Sequence, residues 1–419
     1  MSDWKMLDRN GRAVLLAATV KITQSAKGWR VPSQSGRGHA AYTVNLDGDT
    51  PHCTCPDHEL RACECKHIMA VKIVRQRELF DDGSERVTES LTLTKTVCKS
   101  YPQNWKAYNA AQTTEKEKFQ ALLRELCEGI EEPTQKRGRP RIPLSDAVFS
   151  AVFKVYSTFS GRRFMTDLRA AHSAGHIGRV PSYNSIFVCL ESEAVTPILH
   201  RLIVESSRPL KAVEVDFAVD ASGFTSSRFT RWYDHRYGIA RAHHEWVKVH
   251  LMCGVKTNIV TAVEIAGREA GSSPMLPALL ATTTQTFTAR EVSGDKEFGS
   301  FKNYDAIEAA GATPFIAFKA RHTGKGGGLW AKMHHYFNFR RDDFLSHYHK
   351  RSNVESTFSM IKAKFRDHVR SKTDTAMRNE ALCKILCHNL CVLIQEMYEL
   401  GIDPIFWAES TFAQKVTAI

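Results

Sequence analysis

Glu355 stands between two cations, Arg351 four residues before it and Lys362 seven after, in the run Tyr348-His-Lys-Arg351-Ser-Asn-Val-Glu355-Ser-Thr-Phe-Ser-Met-Ile-Lys362. On a helix that spacing puts all three on one stripe. Alone, such a stripe reads as a surface salt-bridge ladder. Two aspartates change the reading. Asp220 closes the apolar run Val213-Glu-Val-Asp-Phe-Ala-Val-Asp220, and Asp295 follows Val292-Ser-Gly. Both fall at the expected ends of strands, where an α/β sheet presents functional side chains. Three carboxylates converging on one point repel one another unless divalent cations bridge them. Two Mg²⁺ (or Mn²⁺) ions held by Asp220, Asp295 and Glu355 would activate a water or a 3′-hydroxyl against a phosphodiester and stabilise the leaving oxygen. Arg351 and Lys362 would then meet phosphates beside the metals. Asp216 shares a strand face with Asp220. Ser-Gly-Phe after Asp220 is read as the strand end, which makes Asp220 the ligand and Asp216 a structural or helper group.

A second cluster has different chemistry. Cys53-Thr-Cys55 is followed, after nine residues, by Cys65-Lys-His67. Three thiolates and an imidazole complete a tetrahedral structural Zn²⁺ site, which leaves no open position for catalysis. Cys63, His52 and His58 are spare ligands that leave the register open, and a group of reduced cysteines at a surface turn is the bland alternative. The pattern of C-x-C, a gap, then C-x-H, with strands before and a helix after, resembles the SWIM zinc-binding module. Such modules bind DNA or protein.

These groups need elements to carry them. Gly28-Trp-Arg-Val and Ala41-Tyr-Thr-Val-Asn-Leu read as strands, and the spacing from His67 through Ile68, Ala70, Val71 and Val74 as a helix. Helical periodicity recurs from Trp105 to Ile130, from Ala147 to Phe159 and from Ser185 to Ser192, with Ser145 as an N-cap and Asp146 near the helix start. After Pro209, strands are expected at 213–220, 246–255, 259–265, 291–295 and 314–318, with helices at 274–285, 304–310, 349–365 and 376–398. A three-strand meander followed by strands alternating with helices suggests a mixed α/β sheet.

The expected organisation is a zinc module over 1–80, a helical linker with a basic segment over 81–143, and a helical DNA-binding region over 144–210. A catalytic domain over 211–400 and a tail over 401–419 complete it. At 419 residues the chain is too long for one small core. Its 43% hydrophobic and 24% charged residues are those of an ordinary globular protein. No apolar run is long enough to span a membrane, and no signal peptide is read at the N-terminus. A cytoplasmic, nucleoid-associated location is therefore expected. The net charge of +12 favours a polyanionic partner. Eleven cysteines, four of them clustered between Cys53 and Cys65, suit metal binding in a reducing compartment better than a disulfide scaffold.

The spacing Y-(2)-R-(3)-E-(6)-K, complete here at Tyr348, Arg351, Glu355 and Lys362, resembles the signature of a group of bacterial insertion-sequence transposases. Their DDE catalytic domain has a ribonuclease H-like fold. Asp220 and Asp295 fall where that family's first and second acids would stand. The resemblance runs from about Trp105 to Gly401. It implies metal-dependent DNA cleavage and strand transfer, with double-stranded transposon ends and target as partners. It also implies a homo-oligomer, at least a dimer on DNA, because two ends must be joined. Tyr348 joins Arg351 and Lys362 as an expected phosphate contact. The interval from Asp295 to Glu355 is too short for the large β insertion some relatives carry.

Weaker signals remain. Lys136-Arg137-Gly138-Arg139-Pro140 resembles an AT-hook, whose Arg137 and Arg139 would enter the minor groove; a basic linker is the alternative. Arg162, Arg163, Arg169 and Arg179 could belong to a helix-turn-helix or to solvated helix faces. Gly324-Lys-Gly-Gly-Gly328 lacks P-loop spacing and reads as a basic loop over DNA, with Trp330 as a stacking residue. Cys383, Cys387 and Cys391 read as buried packing residues. The rival functions are a ribonuclease H-like nuclease without strand transfer and a domesticated, non-catalytic zinc-finger DNA-binding protein.

Overall fold

The computed structural model describes residues 8–33, 41–46, 50–61, 63–75, 78–79, 85–86, 103–135, 138, 140–226, 236, 246–267 and 271–407. Arg137 and Arg139 of the AT-hook-like segment, and residues 81–84 and 87–102 of the expected linker, lie outside them. The chain forms two compact units, Met1–Ser100 and Tyr101–Ile419.

The first unit opens with helix α1 (Arg9–Thr19), capped by the Asp8 carboxylate, which accepts from the Gly11 N–H at 2.7 Å. Strands β1 (Thr23–Ser25), β2 (Gly28–Pro32), β3 (Ala41–Asn45) and β4 (His52–Cys53) form an antiparallel sheet in sequence order. Helices α2 (Pro56–Arg61) and α3 (Lys66–Arg75) follow, then the short pair β5 (Glu78–Leu79) and β6 (Glu85–Arg86). Its small core is Leu16, Val31, Val44, Ile68 and Val71 packed around buried Cys53, Cys55 and Cys65.

In the second unit, helices α4 (Trp105–Glu128), α5 (Leu144–Ser157), α6 (Gly161–Ser173), α7 (Tyr183–Glu191) and α8 (Val195–Ser207) precede the sheet. Ser145 does not cap α5. The helix starts one residue earlier, and Glu132 caps it from outside, accepting from the Leu144 and Ser145 N–H groups at 2.7 and 2.9 Å. Asp146 instead accepts from the Gly178 and Arg179 N–H groups and from Arg124.

Strands β7 (Asp216–Thr225), β8 (Trp246–Gly254) and β9 (Val260–Ala266) make an antiparallel meander, followed by helix α9 (Leu276–Thr284). The turn between β8 and β9 is closed by buried Glu214, which accepts from the Lys256 and Thr257 N–H groups. Strand β10 (Glu291–Gly294) then lies parallel to β7 on its other side, helix α10 (Phe301–Ala309) crosses over, and β11 (Thr313–Ile316) lies parallel to β10. The order β11-β10-β7-β8-β9 is the mixed, ribonuclease H-like α/β sheet. Helices α11 (Gly328–Phe339), α12 (Arg341–Tyr348), α13 (Ser352–Phe365) and α14 (Asp374–Glu399) complete the unit.

Two apolar layers hold the sheet. One side packs on α13 and α14, and its core continues without a break into α4–α8, so the helices of 144–207 and the sheet share one interior. The other side packs on α9–α12. Trp330 belongs to that second layer. It is 4% exposed, donates its Nε1–H to the Thr323 carbonyl at 2.7 Å and touches Phe301, Tyr304 and Phe318. It is a core residue and has no face to offer a base. Cys383 and Cys387 are fully buried and Cys391 partly so, in the α14 interior.

Candidate functional site

β7 does not end at Asp220. It begins at Asp216 and continues through Thr225, paired along its whole length past Phe217 with β8. Ser222-Gly223 is no terminator: an added Cβ at Gly223 would lie 1.7 Å from the Trp246 indole, so glycine lets that ring cross the strand. What singles out Asp220 is the other neighbour. β10 pairs with β7 only up to Gly294 opposite Val219, so Asp220 and Asp295 are the next residues of two adjacent strands, at the carboxyl end of β10. Gly294 allows the close approach, since a Cβ there would meet Val219 Cγ1 at 2.8 Å.

Alternation puts Asp220 and Ser222 on the face that carries Ala218 and Phe224 into the α13–α14 layer. α13 packs against that face of β7 and presents Glu355 from its first turn. Burial raises the Asp220 pKa above the ordinary carboxylate value, and the nearby charges of Asp295 and Glu355 raise it further. The three acids thus share one electrostatic neighbourhood. Each is also held locally. Asp220 accepts from the Ala221 N–H at 2.8 Å, Asp295 from the Lys296 N–H at 2.7 Å, and Glu355 from Arg351 Nη1 at 2.6 Å.

Arg351 precedes α13 in a short 3-10 turn (His349–Arg351), so the expected single helix from 349 is broken there. Its guanidinium lies 5.3 Å from the centre of the Tyr348 ring, which is itself buried. Lys362 donates to the Ser222 hydroxyl at 2.6 Å, and burial lowers its pKa. Ser222 was not singled out in the sequence, where only its place two residues beyond Asp220 marks it.

Asp216 occupies a different setting at the start of β7. It accepts from Arg290 Nε and Nη2 at 2.9 and 2.7 Å and from Lys350 at 2.8 Å. Lys350 also donates to Glu291 at 2.7 Å, and His347 lies 3.0 Å from the same carboxylate. Burial alone would raise the Asp216 pKa, but the hydrogen bonds from Arg290 and Lys350 outweigh it and hold the carboxyl below the usual range. This network fastens the turn before Glu355 to β7 and β10.

In the first unit, Cys53, Cys55, Cys65 and His67 bring their ligand atoms within 4.8 Å of one another, and among the described residues no other Cys, His, Asp or Glu group of three or more converges so closely. β4 carries Cys53, Cys55 sits at the turn into α2, and Cys65 and His67 bracket the start of α3. His67 Nδ1 faces the thiols, 3.9 Å from Cys53 and 3.8 Å from Cys65, while its buried Nε2 has no hydrogen-bond partner. The spare ligands point elsewhere. Cys63 Sγ contacts the Asp57 carbonyl, His58 Nδ1 contacts the Cys63 carbonyl, and His52 packs edge-on to His58.

The sheet is ribonuclease H-like, with Asp220 and Asp295 as neighbours on its central strands. Residues 211–390 match the family model described as a transposase DDE domain, and residues 42–76 match that of the SWIM zinc finger. The chain carries a DDE transposase domain preceded by a SWIM zinc finger. No curated protein matches it. Among the described residues no helix is long and apolar enough to cross a membrane.

Proposed function

We propose that this chain is an insertion-sequence transposase that cleaves DNA and joins the freed end to a target. The observation that carries the reading is the placement of Asp220 beside Asp295 at the end of β10, with α13, which bears Glu355, packed against the same face of β7. Like charges gathered at a half-buried point are costly unless a cation joins them, so the donor set fits divalent metal. Asp220, Asp295 and Glu355 would hold Mg²⁺ or Mn²⁺. When bound, such ions lower the pKa of a water or 3′-hydroxyl and neutralise charge on the departing oxygen.

The remaining residues bind and orient. Arg351 pairs with Glu355 at 2.6 Å and lies on the Tyr348 ring, so it fixes the acid and offers its outer N–H groups to a phosphate. Lys362, seated on Ser222, places a second cation two residues along β7 from Asp220. The buried Tyr348 ring acts as the platform for Arg351. The substrate is double-stranded DNA, the element's ends and its target, and joining two ends calls for at least a dimer on DNA. Arg137 and Arg139 are assigned to the same DNA in the minor groove.

Cys53, Cys55, Cys65 and His67 are assigned one structural Zn²⁺. Three sulfur donors with one imidazole nitrogen suit zinc, and His67 Nδ1, the nitrogen facing the Cys53 and Cys65 thiols, is assigned as the ligand atom. The experiment is cleavage and joining of a labelled element end, taken from the DNA flanking the gene, by the purified protein with Mg²⁺. Wild type should cut and join, and Glu355→Gln should bind without cutting. DNA binding by a wild type that never cuts would favour a non-catalytic zinc-finger protein.

A further inference from the structure

Beyond Asp220, the same face of β7 leads to a second, largely cationic feature. The chain leaves α13 through Arg366, a non-glycine residue in the left-handed region at φ 74°. The turn that follows is stitched to the end of β7: Thr225 N–H donates to the Asp367 carbonyl at 3.2 Å, and Val369 N–H to the Thr225 carbonyl at 2.9 Å.

Two buried ions of α14 then fix it from beneath. Lys384 donates to the carbonyls of Arg366 and His368 at 3.1 and 2.6 Å. Glu380 accepts from the Arg370 and Ser371 N–H groups at 2.9 and 2.8 Å and from the Ser371 hydroxyl at 2.8 Å. Glu380 is 3% exposed and Lys384 1%. Burying ions to hold one surface turn is expensive, and such over-determined, strained backbone marks functional positions.

The turn carries one acid, exposed Asp367, whose carboxylate lies 3.0 Å from His368 Nδ1, but the cavity beside it is lined by charge of one sign. Arg366, His368, Arg370 and Lys372 line a cavity of about 660 Å³ with Arg163 of α6 and exposed Phe159, and no acidic residue lines it. Among the described residues, none of the three arginines or Lys372 is ion-paired with a carboxylate. Their guanidinium groups donate instead to backbone, Arg366 to the Thr158 carbonyl and Arg370 to the Phe159 carbonyl. Burial and the neighbouring Arg366 both lower the Arg370 pKa, so the cations are held together against repulsion.

We propose that this groove is a track for the DNA backbone, in which Arg163, Arg366, Arg370 and Lys372 bind phosphates on one side of the cut, and that Glu380 and Lys384 are positioning residues for it. The proposal rests on the transposase reading and adds the path of the substrate. Five residues of strand separate Asp220 from Thr225, about 17 Å at ~3.3 Å per residue. That distance corresponds to roughly five base-pair steps at ~3.4 Å each. The phosphates in the groove therefore lie about half a helical turn from the scissile bond, with Lys362 between.

The test is fluorescence anisotropy of a short labelled duplex of random sequence, titrated with full-length protein over a range of salt concentrations without added divalent metal. The triple variant Arg163→Ala, Arg370→Ala, Lys372→Ala should reduce the slope of log K against log salt by about 3, near one unit per lost phosphate contact. A triple variant with Arg163→Lys, Arg370→Lys and Lys372→Arg should keep the wild-type slope. The groove assignment is overturned if the alanine variant unfolds at the wild-type temperature and keeps both slope and affinity. In that case a wild type that still cuts the element end leaves the transposase reading standing, whereas a wild type that neither binds nor cuts removes both.

Discussion

Asp216 and Asp220 share a strand face, yet the structure gives them opposite roles, and exchanging each for its amide separates the two. Asp216→Asn removes the charge that Arg290 and Lys350 share. A hydrogen bond to a charged group contributes about 1.5–3 kcal/mol when shielded. The Arg290 side chain is 63% exposed. Its pair is therefore screened by solvent and contributes little. Lys350, at 27% exposure, loses more but keeps Glu291. Together these give a loss of about 2 kcal/mol, read as a lower urea midpoint with unchanged slope. DNA cleavage should persist, since no atom of Asp216 is assigned to metal. Asp220→Asn should do the reverse. It relieves like-charge repulsion, so stability should not fall, while cleavage should drop by roughly a thousandfold or more. Because the Asp216 carboxyl is held below its ordinary pKa, its contribution is present above the unfolded value and is lost as pH falls through the folded one. An inactive Asp216→Asn of wild-type stability, or an active Asp220→Asn, would refute this division.

Other perturbations have equally definite outcomes. Removing zinc with a chelator, or His67→Ala, should release one Zn²⁺ per chain and open residues 41–75 to protease, while far-UV signal from the second unit persists. Glu396 is pushed up to about 7 by burial, with Glu399 and Glu214 adding to it. Its raised value stabilises the fold at low pH and the benefit is lost as pH rises towards 7, so Glu396→Gln should flatten the fall in melting temperature between pH 5 and 8. Trp330→Phe should destabilise by about 1–3 kcal/mol through the lost Thr323 hydrogen bond and packing, and leave DNA affinity unchanged.

The placement of the three acids, two on adjacent central strands and one in the first turn of a helix, was legible because it follows from local physics. An apolar run before Asp220 and Asp295 marks buried central strands, and the four- and seven-residue spacing around Glu355 marks one helical stripe. The zinc ligands were legible for the same reason, since Cys-x-Cys and Cys-x-His bind as short units, although choosing among the spare ligands needed the turn that aims Cys63 at Asp57. What escaped depends on partners far away in sequence. Gly223 reads as a strand end until Trp246 crosses it. Ser145 reads as a cap until Glu132 reaches the same N–H groups. Trp330 beside a glycine-rich stretch reads as exposed, but α10 and the segment after β11 enclose it. The clamp of Glu380 and Lys384 on the 366–371 turn leaves no trace in spacing, because a buried ion's partners are backbone atoms.

The central claim, that Asp220, Asp295 and Glu355 form one metal centre, is tested most directly by diffraction from crystals soaked in Mn²⁺, using the manganese anomalous signal. The account predicts a peak among the Asp220, Asp295 and Glu355 carboxylates, and no peak in Asp220→Asn crystals. Ordered wild-type crystals at saturating Mn²⁺ with no anomalous density among the three carboxylates would contradict it.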